Sequence, residues 1–126
     1  MRMWMVDPRL LCRNHLLGEH KELHMLLGCM KKGKSITGYL ERDQLFPGWV
    51  FTRHEELVKE IIDRGYNHNS PMICDEVVAV SDSYSSQDVG LHGHTVDWKT
   101  IRKRNLEDLE KRCPECAKRM RNDGLS

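Results

Sequence analysis

Two groups near the start of the chain could do covalent chemistry together, the terminal amine of Met1 and the carboxylate of Glu22. The aminopeptidase that trims initiator methionines generally needs a small second residue, and Arg2 is large, so we expect Met1 to stay at the terminus. A terminal α-amine has an ordinary pKa of about 8, so part of it is unprotonated at neutral pH. Such an amine can form an imine, and a nearby carboxylate can move the protons that this reaction requires.

The carboxylate belongs to a segment with helical periodicity. Leucines recur at helical spacing through this segment, Asp7-Pro8 is a typical start signal, and Lys31-Lys32-Gly33 is a typical stop signal. We predict a helix over about residues 10–32.

Within that helix one flank carries ionisable side chains. At 100° per residue His15, Glu19 and Glu22 fall together there, between the apolar stripe and the solvent-facing side. A carboxylate at such a boundary can be partly desolvated, which raises its pKa toward a catalytic range. A solvated charged flank explains the same spacing, so the pattern alone leaves both interpretations open.

Two further helices are predicted, over about residues 49–64 and 98–112. The connection between them, about residues 66–97, lacks helical periodicity and is rich in turn residues. Within it, residues 77–80 could form a short strand or a buried extended segment. We therefore expect an all-α fold, a compact three-helix single domain over residues 1–126 with a long irregular connection between the second and third helices.

Length and charge set wider bounds. The chain has 126 residues, enough for one modest core, and a net charge of +1 that neither indicates nor excludes nucleic acid. Basic residues between 99 and 121 suit a solvated helix face and a phosphate-binding surface equally well. No apolar run reaches the roughly 20 residues of a membrane span, and no secretory signal precedes the first helix, so we expect a cytoplasmic protein.

The five cysteines are odd in number, which argues against a disulfide framework in a reducing compartment. Cys113 and Cys116 have the spacing of half a zinc site. The other half would have to come from His92, His94 or Cys74, which the sequence leaves scattered. We therefore expect no metal and no cofactor, and keep a small zinc-stabilised interaction module as an alternative.

The segment Asn14–Leu23, NHLLGEHKEL, together with Arg2, resembles the phage and viral pyrimidine-dimer DNA glycosylases. In that family a short N-terminal segment precedes a helix with the pattern Gln-His-Leu-Met-x-Glu-x-Arg-Glu-Leu. A second match is Arg64-Gly65-Tyr66-Asn67, where the family has Arg-Gly-aromatic-Asn. The resemblance covers about residues 1–69, and the remainder matches only as a generic third helix.

The resemblance implies a compact all-helical enzyme that binds damaged double-stranded DNA as a monomer. It implies a bifunctional glycosylase and AP lyase that attacks ultraviolet pyrimidine dimers with its N-terminal amine. The family's amine belongs to a threonine that, aligned without a gap, falls on Met1, and the family's next arginine falls on Arg2. The implied site residues are Met1 and Glu22 for catalysis, and Arg2, Asn14, His15 and Lys21 for DNA binding.

The chain departs from the family pattern at two basic positions. Lys21 stands where the family commonly has arginine, which keeps the charge but loses bidentate phosphate contact, and Met25 replaces an arginine found in some members. The preferred lesion stays open as a result: cyclobutane dimers, oxidised purine fragments and abasic sites all suit the same amine and carboxylate. The alternative function is a non-catalytic helical DNA-binding or phage accessory protein.

Overall fold

The computed structural model describes residues 1–80 and 97–123, and within them every regular element is helical. The α-helices are α1 (Arg13–Lys31), α2 (Thr37–Glu41), α3 (Val50–Asp63), α4 (residues 74–80), α5 (Trp98–Arg112) and α6 (Pro114–Asp123). Short 3-10 turns cover Pro8–Leu10 and Pro47–Trp49. No helix in these ranges is both long and apolar enough to cross a membrane.

The all-α prediction is confirmed, but the prediction of three helices is wrong, because the described residues contain six α-helices. The three long ones lie where the periodicity placed them. The first begins later than predicted because Asp7-Pro8 starts a separate 3-10 turn, and Cys12 then caps α1 by accepting a hydrogen bond from the His15 N–H. The missed helices are short, and five to ten residues carry too little periodicity to be recognised.

The predicted irregular connection is partly wrong as well. Residues 74–80 are helical, and they include residues 77–80, where we considered a short strand or a buried extended segment. Residues 81–96 of that connection, including His92 and His94, lie outside the described residues.

The N-terminal segment is buried instead of frayed. Met3 is only 1% exposed, and the residues from Met3 to Val6 all belong to the core, which receives apolar side chains from each described α-helix. The backbone N–H of Met3 donates to the carbonyl of Gln44 at 2.8 Å, and that of Phe46 donates to the Met3 sulfur at 3.3 Å. The position of the chain start is therefore fixed by packing on several sides.

A buried ion pair joins this segment to α1 and α3. Arg53 donates to both carboxylate oxygens of Glu19, at 2.6 and 2.9 Å, and the two side chains are 1% and 0% exposed. Arg53 also donates to the Val6 carbonyl at 2.7 Å, and Glu19 accepts the Trp4 N–H. Burial raises the pKa of the Glu19 carboxyl group, and the Arg53 charge counteracts part of that rise.

The second sequence match to the glycosylase family also has a structural role. Arg64 donates to the carbonyls of Pro8 and Leu11, at 3.1 and 2.7 Å, and so closes the 3-10 turn that precedes α1. Gly65 ends α3 with a φ of +82°, a conformation that side-chain-bearing residues rarely adopt. The Arg-Gly pair therefore ends one helix and fixes the approach to another.

Several basic residues of the C-terminal helices donate to main-chain carbonyls. Arg102 binds the Met5 carbonyl at 3.3 Å, Arg104 binds that of Asp43 at 2.7 Å, and Arg119 binds that of Arg9 at 2.9 Å. These three guanidinium groups hold α5 and α6 against the N-terminal half. Part of the positive charge in this region therefore stabilises the fold, while the exposed lysines of the same helices, together with Arg112 and Arg121, remain at the surface.

We predict that Arg53→Met destabilises the protein by about 3–5 kcal/mol, because it leaves the Glu19 carboxylate buried without its counter-charge. The double variant Glu19→Leu/Arg53→Met should cost less than Arg53→Met alone, since neither charge is then left unpaired. Urea unfolding in one common buffer measures these differences. The matched control is Lys31→Met, which breaks the exposed 3.8 Å pair with Glu76 and should cost less than about 1 kcal/mol. Equal losses for Arg53→Met and Lys31→Met would contradict the account.

Candidate active site at the chain terminus

The chain terminus lies beside Glu22 of α1. The backbone N–H of Arg2 donates to Oε2 of Glu22 at 3.1 Å. The Met1 amine is one residue earlier, and backbone bond lengths place it within roughly 7 Å of that oxygen. Met1 is partly buried against the core, and Glu22 is half-buried. The amine and the carboxylate are therefore close enough to contact the same substrate.

The two carboxylates of the predicted flank have different surroundings. Glu19 is enclosed and bound at both oxygens by Arg53, so it has no access to a substrate. Glu22, one turn further along α1, lies at the protein surface beside the terminus. The structure thus brings Glu22, and not Glu19, close to Met1.

The side chain of Arg2 is bound within the protein. Its Nη2 donates to Asp108 at 2.8 Å and to Asn105, and its guanidinium lies 4.0 Å from the centre of the Trp4 ring. Asn105 also donates to the Trp4 carbonyl at 2.6 Å. The hydrogen bond from Arg2 lowers the pKa of Asp108, so the pair is ionised at neutral pH. These contacts attach the terminus to α5, and the predicted phosphate contact of Arg2 stays a prediction.

Asn14 and Lys21 form an exposed row on α1. They are seven residues apart, which places them nearly above one another on a helix. Gly18 lies between them, and a Cβ built there would meet nothing within 4 Å. The surface between the two polar side chains is therefore open, and their predicted role in DNA binding also stays a prediction.

His15 lies among cysteines. Its Nδ1 is 3.3 Å from Sγ of Cys12 and 3.5 Å from Sγ of Cys116, and its ring meets the Trp4 ring edge-on at 5.8 Å. Burial lowers the pKa of His15, and the charge of Glu22 opposes that shift. Sequence reasoning placed His15 at the DNA and missed this cluster. The available signal was Cys12-x-x-His15, which has the same spacing as Cys113-x-x-Cys116.

A second unforeseen cluster lies on the opposite side of α1. Nε2 of His20 is 3.1 Å from Nε2 of His54 on α3 and 3.1 Å from Nε2 of His68 in the segment after α3. Burial, aided by the neighbouring His54, lowers the pKa of His20 to about 4, so its ring is neutral at pH 7.

A groove of about 690 Å³ lies elsewhere, between residues 5–10, α3 and α5. Neither Met1 nor Glu22 lines it. Its walls carry four carboxylates, on Asp7, Glu56, Glu60 and Asp63, together with the cations of Arg9, Lys59 and Arg102. Charge therefore does not single out this groove as a phosphate-binding surface, and the surface around the terminus, where Glu22 lies beside the chain start, is the better candidate.

Comparison with known proteins identifies the family. A protein-family model described as pyrimidine dimer DNA glycosylase matches residues 1–74. The chain belongs to this family. The match includes the terminus, α1 and α3, and it confirms the resemblance drawn from the two motifs. No curated protein and no solved structure matches the chain.

Family membership implies glycosylase activity on pyrimidine dimers and a damaged DNA substrate. The matched region holds Met1, Arg2, Asn14, His15, Lys21 and Glu22. It ends before α5 and α6, so the helices that hold Arg2 and that supply Cys113 and Cys116 lie outside the family match.

Proposed function

We propose that this chain is a bifunctional DNA glycosylase and AP lyase, with the Met1 α-amine as nucleophile and Glu22 as the group that transfers protons. The observation that supports this most is the 3.1 Å hydrogen bond from the Arg2 N–H to Glu22, which keeps the carboxylate within one residue of the amine. The proposal takes Met1 as the first residue of the active protein, which an intact mass measurement tests.

In the first step the amine nitrogen attacks C1′ of the sugar that bears the 5′ base of the dimer. A C1′–N bond to the enzyme forms, and the bond to the base breaks with its electron pair leaving on the base. Glu22 accepts the proton that the amine loses and stabilises the positive charge that develops on the sugar. Proton return to O4′ then opens the sugar and gives an imine between Met1 and C1′.

In the second step the imine makes the C2′ hydrogen acidic. Removal of that proton moves electrons toward the imine, and β-elimination breaks the C3′–O3′ bond on the 3′ side of the sugar. Hydrolysis of the imine releases the enzyme. Glu22 is half-buried and accepts one described hydrogen bond, and we assign to it the acceptance and return of protons in both steps.

The exposed row of Asn14 and Lys21 is the surface we assign to the DNA backbone. Lys21 supplies positive charge, and the open space at Gly18 permits close approach of a phosphate or sugar. A dimer resists normal stacking, so a duplex that contains one is easily kinked, and extrusion of a nucleotide gives the amine access to C1′.

We expect borohydride to trap a covalent adduct between the protein and duplex DNA that contains a pyrimidine dimer or an abasic site. Glu22→Gln should lower the rate of trapping by about 100- to 10,000-fold, because it removes the group that transfers protons. The amide oxygen still accepts the Arg2 N–H, so circular dichroism should be unchanged. The matched control is Glu41→Gln, an exposed carboxylate on α2, which should trap at the wild-type rate.

Blocking the terminus with an N-terminal extension should abolish the adduct while the helices stay folded. DNA binding without any adduct in the unmodified protein would contradict the imine mechanism. It would favour the alternative, a helical DNA-binding protein without catalysis.

We further predict that Gly18→Ala stabilises the protein by about 0.5–1 kcal/mol and weakens binding to damaged duplex. Alanine is the better helix residue, and the Cβ has free space in the isolated protein. The same Cβ would occupy the surface that DNA approaches. Thermal unfolding and fluorescence anisotropy with a dimer-containing duplex measure the two effects.

The control for this prediction is Gly28→Ala, the other glycine within α1, where an added Cβ also meets nothing within 4 Å. It lies ten residues further along the helix, about 15 Å away. It should bring a similar stabilisation and leave DNA affinity unchanged. If Gly18→Ala and the wild type bind damaged duplex with equal affinity, the row of Asn14 and Lys21 is not part of the DNA interface.

A further inference from the structure

Four side chains from two distant parts of the sequence meet beside the first turn of α1. Cys12 and His15 come from the start of α1, and Cys113 and Cys116 come from the junction of α5 and α6. Their three sulfur atoms and one ring nitrogen all lie within 4.8 Å of one another. All four are buried or half-buried, and the three cysteines are free thiols.

The distances match those of a tetrahedral zinc ion. Zinc binds sulfur at about 2.3 Å and nitrogen at about 2.0–2.1 Å, so tetrahedral ligands lie about 3.8 Å apart for two sulfurs and about 3.6 Å for sulfur and nitrogen. The structure has 3.8 Å between Sγ of Cys12 and of Cys113. Nδ1 of His15 lies 3.3 and 3.5 Å from Sγ of Cys12 and Cys116.

Backbone N–H groups point at each of the three sulfurs. The N–H of His15 donates to Cys12, that of Cys116 donates to Cys113, and that of Cys12 donates to Cys116, at 3.2–3.4 Å. Such donors orient the sulfur atoms, as outer partners of metal ligands do. A disulfide would instead bring two sulfurs to about 2.05 Å and would leave His15 without a role.

We infer that Cys12, His15, Cys113 and Cys116 bind one zinc ion in a structural site. Four protein ligands complete the coordination sphere of a tetrahedral zinc ion, so this site has no open coordination position for catalysis. Its effect is to join the end of α5 to the start of α1. Since Asn105 and Asp108 on α5 hold Arg2, the ion would also stabilise the position of the terminus.

The test is metal content and spectroscopy of the untagged full chain. Elemental analysis should find zinc in the wild type. The zinc content of Cys113→Ser and of Cys116→Ser should each be lower by one ion per chain. The control is Cys74→Ser, an exposed cysteine outside the cluster, which should keep the wild-type content. Chelation should lower the unfolding temperature of the wild type and of Cys74→Ser.

A readout without substitution guards against variants that fail to fold. Cobalt added to the metal-depleted wild-type chain should give thiolate charge-transfer absorption and the intense visible bands of a tetrahedral ion. Absence of these bands, or zinc content that the cysteine variants leave unchanged, would overturn the proposal. Neither measurement depends on DNA cleavage, so the imine mechanism and the zinc site can fail separately.

The histidine cluster independently carries a second cation site. Nε2 of His20 lies 3.1 Å from Nε2 of His54 and from Nε2 of His68, close to the roughly 3.3 Å between nitrogen ligands of tetrahedral zinc. All three ligand atoms lie within 4.8 Å of one another. Nδ1 of His54 faces Glu55 at 3.0 Å while its Nε2 faces the Ser70 carbonyl at 3.2 Å. The contact of Nδ1 with Glu55 leaves Nε2 of His54 as the nitrogen that faces the other two rings.

The neighbouring His24 adds an observation of its own. Its Nε2 is buried without a hydrogen-bond partner among the described residues, and its ring lies 4.9 Å from His20 and 5.0 Å from His54. We propose that His20, His54 and His68 bind a divalent transition-metal ion, with the carboxylate of Glu55 orienting His54.

This second site predicts a separate loss of metal. The wild type should hold two ions per chain, His68→Ala should hold one, and the control Asn69→Ala, an exposed neighbour, should hold two. Cobalt in Cys116→Ser should give visible bands without thiolate charge transfer. One ion per chain that only the cysteine variants remove would overturn the histidine site and support the cysteine site.

Discussion

The buried ion pair between Glu19 and Arg53 is the contact on which the arrangement of the site depends. It joins α1 to α3. Arg53 also donates a hydrogen bond to the carbonyl of Val6, and Glu19 accepts one from the N–H of Trp4, so both contact the segment that leads to Met1. Loss of a partner from a buried ion pair is strongly destabilising. The N-terminal segment is therefore held in the position in which Glu19 and Arg53 keep all of their hydrogen bonds. The chain start thus becomes part of the core, and its amine has a defined position on the protein surface.

Because of this ion pair, the two carboxylates on one flank of α1 have different roles. Glu19 is bound by Arg53 and serves the fold, which leaves Glu22 to face the terminus through the N–H of Arg2. On the other side α5 holds the Arg2 side chain, and the cysteine and histidine cluster joins the end of α5 to the start of α1. The terminus is therefore fixed from both the family-matched region and the part of the chain beyond it.

Sequence reasoning reached the all-α class, the three long helices and the family, because each depends on local periodicity or on a motif of adjacent residues. It missed α2, α4 and α6, which are too short for a periodic signal. It also missed the cysteine cluster and the histidine cluster, whose members are far apart in the sequence. Cys12 and Cys113, for example, are about a hundred positions apart, and only the tertiary fold brings them together. The expected role of Arg2 at phosphate was drawn from the family alone, and no pattern in the sequence indicated that Asp108 would bind its guanidinium.

The proposed nucleophile is the amine of Met1. Its identity can be tested by digesting the borohydride-trapped complex with protease and nuclease and locating the remaining sugar fragment by tandem mass spectrometry. We expect the fragment to be attached to the α-nitrogen of Met1 in the peptide that begins the chain. Attachment to the side chain of a lysine such as Lys21, with an unmodified Met1 peptide, would show that the amine of Met1 is not the nucleophile.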